Sequence, residues 1–113
     1  WFVAVEPYEG LGHFRYVYRK GRHASGKLFR VHYAKARRLQ VGFSVGRQVG
    51  NAVTRNLVKR RLREAFRSLM PLMTNGSYVI TANPAAATAS YRELRSDMAV
   101  QLTRLGVLRE MRI

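Results

Sequence analysis

One stretch of the chain, GNAVTRNLVKRRLREAFR from Gly50 to Arg67, sets the chemical problem. At about 100° of rotation per residue, Asn56, Lys59, Arg60, Arg63 and Arg67 gather on one side of a helix, with Arg55 and Arg61 along its flanks. Val58, Leu62, Ala65 and Leu69 take the other side, with Phe66 at its margin, and that side suits a core. Guanidinium groups stay protonated at any ordinary pH, so a row of them neutralises anions and does not shuttle protons. Arg55 also stands near the helix N-terminus, where the backbone dipole favours an anion. Taken alone, such a helix reads either as a solvated surface face or as one across which a polyanion lies in the working state.

Other residue types that could do chemistry are sparse. The acids are Glu6, Glu9, Glu64, Glu93, Asp97 and Glu110, whereas metal-assisted phosphoryl transfer needs clustered carboxylates. Only Glu93 and Asp97 share a helix face, and with Arg92, Arg95 and Arg104 nearby they read as surface ion pairs. His13, His23 and His32 have no zinc spacing, although two of them could meet in space as acid and base. The run VGFSVGRQVG lacks the Gly-Lys-Ser/Thr ending of a phosphate loop, so its glycines serve strand exit and turn geometry. Among the aromatic residues, Phe29 and Tyr33 are expected in the core. Tyr18 and His32 stay open between core and surface, and rings exposed beside basic residues stack unpaired bases.

Composition sharpens this reading. The 113 residues suit one compact domain, and a hydrophobic share of 47% supports a core. With 21 Lys and Arg against 6 Asp and Glu the net charge is +15, far beyond internal neutralisation, so the partner is an anion. Apolar runs are too short to span a bilayer, and the apolar side of the basic helix is needed inside the protein. The absence of cysteine excludes disulfides and thiolate metal sites and fits a reducing cytoplasm. The start WFVAVEPYEG lacks the marks of a signal peptide, and also an initiating Met.

These residues need elements to position them. LGHFRYVYRKG predicts a short helix with Leu11, Phe14, Val17 and Tyr18 at helical spacing, ended by Lys20 and Gly21. RHASGK reads as a flexible basic loop. In LFRVHYAKA, Phe29, Val31 and Tyr33 alternate against Arg30, His32 and Lys35, and in LQVGFSVG the series is Leu39, Val41, Phe43 and Val45. The two read as strands able to pair as a hairpin. Asn51 caps the basic helix and Pro71 marks its end. TNGS is a turn, YVITAN a third strand reached by a βαβ crossover, and PAAATA a linker. In the last helix Ser90 and Glu93 stand at capping-box spacing, Leu94, Met98, Leu102 and Leu105 form the apolar stripe, and Gly106 is the stop. The order αββαβα around a mixed sheet is α+β, an α-β sandwich.

With these motifs in view, the sequence resembles the protein subunit of bacterial ribonuclease P. VGFSVGRQVGNAVTRNLVKRRLREAF carries most of the likeness, with weaker matches at FRYVYRKG, LFRVHYAK and YVITANPAA, from about Phe14 to Leu105. The resemblance implies a single domain, residues 1–10 being an extension without a match, and a left-handed βαβ crossover. It implies a protein that helps a catalytic RNA with bound Mg²⁺ remove the 5′ leader from precursor tRNA. By position, Arg47, Arg55, Asn56, Lys59, Arg60 and Arg63 would contact the catalytic RNA, with Arg67 continuing the basic stripe. Phe14, Tyr18 and His32 would line a cleft for the leader, His32 standing where the family often has an aromatic ring. Leu57 occupies a position that is commonly Arg, so that contact is lost or moved to Arg61. The readings that compete with this one are a general RNA-binding or ribosomal protein and a protein-only nuclease built on the histidines.

Overall fold

The computed structural model describes residues 21–108. Four strands form one sheet: β1 (Arg22–Ser25), β2 (Phe29–Ala34), β3 (Leu39–Ser44) and β4 (Gly76–Ala82), in the spatial order β1-β2-β4-β3. Two α-helices belong to the described residues, α1 (Ala52–Leu69) and α2 (Tyr91–Arg104). The sheet is mixed: β2 runs antiparallel to both β1 and β4, whereas β3 is parallel to β4. α1 is the crossover that a parallel pair requires. This is the α+β architecture that the order of motifs implies. The helix expected around Leu11 to Tyr18, and with it Phe14 and Tyr18, lies outside the described residues.

Three local expectations change. The strands on either side of Lys35–Arg38 do not pair as a hairpin, because β4 lies between them. β4 is buried at every position except Thr81, and a strand buried on both faces belongs at the centre of a sheet. RHASGK is not a loop: Arg22–Ser25 pairs with β2 in the register Arg22↔Tyr33 to Ser25↔Arg30. Its single apolar residue, Ala24, gave no alternation to read. PAAATA is a 3₁₀ segment, Pro84–Thr88, whose Ala86 enters the core.

Strand alternation divides the sheet into two faces. Phe29, Val31, Tyr33, Val41, Phe43, Tyr78 and Ile80 turn to the helices and join Val58, Leu62, Phe66, Leu94, Met98 and Leu102 in one core. Phe66 sets the rotation of α1, standing edge-on to Phe43 (ring centroids 6.0 Å apart, 88°) and to Tyr78 (5.5 Å, 71°). The second face carries His23, His32, Val79 and Gly42 in one row across all four strands, and Ser25, Arg30, Thr81 and Ser44 in the next.

Candidate nucleic-acid interface

α1 starts where the sequence places it. Asn51 has extended backbone angles, and its side-chain oxygen accepts from the Thr54 N–H at 2.9 Å. Gly50 before it holds φ at 155°, and a Cβ there would press on the Thr54 side chain at 3.0 Å. The first turn contains no acid, although α1 carries six basic residues and only Glu64 against them.

With Val58, Leu62, Ala65, Phe66 and Leu69 buried, the basic residues turn outward. Asn56, Arg60 and Arg67 are exposed, as is Arg47 in the short 3₁₀ turn Arg47–Val49 ahead of the helix; Arg55 and Arg63 are half-buried. From Arg55 to Arg67 the row is about 18 Å long at 1.5 Å per residue. Arg55 Nε is buried and has no hydrogen-bond partner.

Lys59 departs from the expected stripe, being only 9% exposed. On a helical projection it falls about 20° from Phe66, a signal that marks it as a residue of the margin. Burial, and then the neighbouring positive charge of Arg55, pushes the Lys59 ammonium below its ordinary range. Arg61 also serves the fold, since its Nη1 donates to the Ala89 carbonyl at 2.9 Å and ties α1 to the segment that leads into α2. One of the five N–H groups of its guanidinium is thereby engaged by the fold.

The acids and histidines take definite places. Glu93 belongs to the capping box of α2 and Asp97 accepts from Gln101 Nε2 at 3.0 Å, so both are tied to α2 itself. Among the described residues no three His, Asp or Glu side chains come together as a metal site. His32 is 9% exposed. Its ring stacks with that of His23, directly opposite on β1, with centroids 5.6 Å apart and planes 28° apart. Burial, then the charges of His23 and Arg30, lowers the His32 pKa below its ordinary 6.5. Sequence spacing gave no sign of this pairing, which depends on the β1–β2 register. Two histidines thus meet in space, but as stacked rings with no room between them for a phosphate. His13 lies outside the described residues.

A family model described as Ribonuclease P matches residues 11–106. The chain belongs to the ribonuclease P protein family. The ribonuclease P protein component of Symbiobacterium thermophilum is 39% identical over 99 residues, covering 84% of this chain and 86% of that protein. That of Thermus brockianus is 41% identical over 90 residues, covering 80% of this chain and 54% of the longer relative. Among solved structures, the RNase P protein of Staphylococcus aureus superposes with a TM-score of 0.82 at 23% identity, over 89% of this chain and 95% of that one. The RNase P protein of Thermotoga maritima gives 0.73 at 23% identity, over 80% and 89%. These two likenesses bear on the fold, the mixed four-stranded sheet with its helices.

Proposed function

We propose that this chain binds the catalytic RNA of ribonuclease P through α1 and assists that RNA in removing the 5′ leader from precursor tRNA. Family membership makes it a protein component of an endoribonuclease holoenzyme with an RNA partner. The observation that carries the finer reading is the outward row of α1, fixed by a buried apolar row and lacking any acid in its first turn. Arg47, Arg55, Asn56, Arg60, Arg63 and Arg67 would meet phosphates of the catalytic RNA, with Lys59 adding charge from the margin. Each contact releases counterions, so log K falls by about 0.7 to 0.9 per contact on a log[salt] scale. The leader would lie on the second face of the sheet, which carries His32; Phe14 and Tyr18, its other expected partners, lie outside the described residues.

The bond-breaking chemistry is assigned to the RNA. Among the described residues no three His, Asp or Glu side chains come together, the Glu93 carboxylate accepting from the Ser90 N–H and that of Asp97 from Gln101. In this reading Mg²⁺ is held by the RNA, as the resemblance implies, and this chain contributes cations that neutralise phosphates. The rival reading, a protein-only nuclease, would use His13, His23 or His32 with Lys or Arg, and the stacking of His23 on His32 does not favour those two as an acid–base pair flanking a phosphate. The test is cleavage of precursor tRNA at low Mg²⁺ by catalytic RNA alone, protein alone and both together. Efficient cutting at the mature 5′ end by the mixture only is the expected result. Cutting by the protein alone would overturn it, as would a mixture no better than the RNA.

A further inference from the structure

The second face of the sheet is open at its β1 margin and closed at its centre. Val79 and Ser77 on β4 are fully buried, and His32 nearly so. His23, Ser25 and Arg30 on the same face are exposed. A ring as shielded as His32 offers little area to a nucleobase. The exposed ring is the one beside it: His23 leans on His32 at 5.6 Å, nearly parallel, so its imidazole is backed by a second ring. Arg30 lies two residues before His32 on β2, on the same face and about 7 Å along the strand. It is also close enough for its charge to be felt at His32.

We propose that His23 and Arg30 form a nucleotide subsite at the β1 margin, in which the backed imidazole stacks one unpaired base of the leader and the guanidinium meets its phosphate. The proposal rests on the reading of this face as the leader surface. Stacking on a protein ring needs an accessible π-face held at low entropic cost, and it tolerates any base. His32 supplies the support and His23 the face. A strand margin is also where a single strand enters or leaves a sheet surface without crossing buried residues. The subsite therefore takes an unpaired nucleotide of any sequence, and it lengthens the leader footprint toward β1.

The experiment uses the holoenzyme reconstituted from catalytic RNA and full-length protein, with precursor tRNAs bearing a long leader, a single leader nucleotide or none. His23→Ala is expected to weaken binding of the long-leader substrate about tenfold, within the range for loss of one stacked base, and to leave the leaderless RNA unchanged. His23→Phe should restore the loss, since it keeps the ring and drops the imidazole nitrogens. Arg30→Ala should lower the salt slope for the long leader by about 0.7, one single-strand phosphate contact. An unchanged leader preference in His23→Ala, with the wild type still preferring the long leader, would overturn the subsite and leave the leader surface standing. Failure of His23→Phe to restore binding would also overturn it. A wild-type holoenzyme that binds all three substrates alike would remove the leader surface itself, and the subsite with it.

Discussion

The two helices lie on the same face of the sheet and are built on opposite electrostatic principles. α2 satisfies its own dipole. Ser90 Oγ accepts from the Glu93 N–H at 3.1 Å, and the Glu93 carboxylate accepts from the Ser90 N–H at 2.9 Å. Its C-terminus closes with Gly106 at φ 74°, the Val107 N–H donating to Leu102 and the Gly106 N–H to Thr103, with Arg104 in the last turn. α1 has an N-cap but no acid in its first turn, and its basic residues repel one another at spacings of three and four. α2 satisfies both of its ends from its own residues, whereas the first turn of α1 is left without an acid. In the proposed function, that local dissatisfaction on a well-packed helix is what marks the α1 face for binding and leaves the outer face of α2 to water.

If packing rather than local electrostatics holds α1 in place, Phe66→Ala should be the most damaging single change. Loss of a fully buried ring from between Phe43 and Tyr78 should lower unfolding free energy by about 3–5 kcal/mol in a urea titration. For α2, Ser90→Ala should cost about 1 kcal/mol with no change in affinity for the catalytic RNA. Part of that cost should fade in acid. Glu93 is held below its ordinary 4.5, first by the Ser90 backbone N–H and then by its hydroxyl. A carboxylate with a depressed folded pKa stabilises the fold above its unfolded pKa and loses that contribution as pH falls through the folded value. The gap between wild type and Ser90→Ala should therefore narrow below the ordinary carboxylate range. The smallest expected effect is Leu57→Arg, which adds a cation on the half-exposed flank of α1. It should steepen the salt dependence of RNA binding by about 0.7 to 0.9 and leave α2 untouched.

Much of the molecule is legible in its sequence. The apolar side of α1, the Asn51 cap, the Ser90–Glu93 capping box and the Gly106 stop depend on residues within one or two turns of each other, and all appear where the sequence places them. What escaped was non-local. The insertion of β4 between β2 and β3, the pairing of β1, and the His23–His32 stack depend on which strand finds which partner, and turn chemistry at Lys35–Arg38 does not encode that. Lys59 was a different case: its angle beside Phe66 was readable, but a charged residue type suggested the open side. Phe14 and Tyr18, expected from the resemblance to line a leader cleft, lie outside the described residues.

The most direct measurement is affinity for the catalytic RNA across a salt series, comparing equal charge removal from each helix. One variant carries Arg60→Ala, Arg63→Ala and Arg67→Ala on α1; the other carries Arg92→Ala, Arg95→Ala and Arg104→Ala on α2, with folding of both checked by thermal melting. The account predicts that the α1 variant stays folded, binds at least about a hundredfold more weakly at low salt and loses about 2 from its salt slope, while the α2 variant keeps most of its affinity and slope. Equal losses for the two variants would show that net charge alone drives binding, and would contradict a dedicated RNA face on α1.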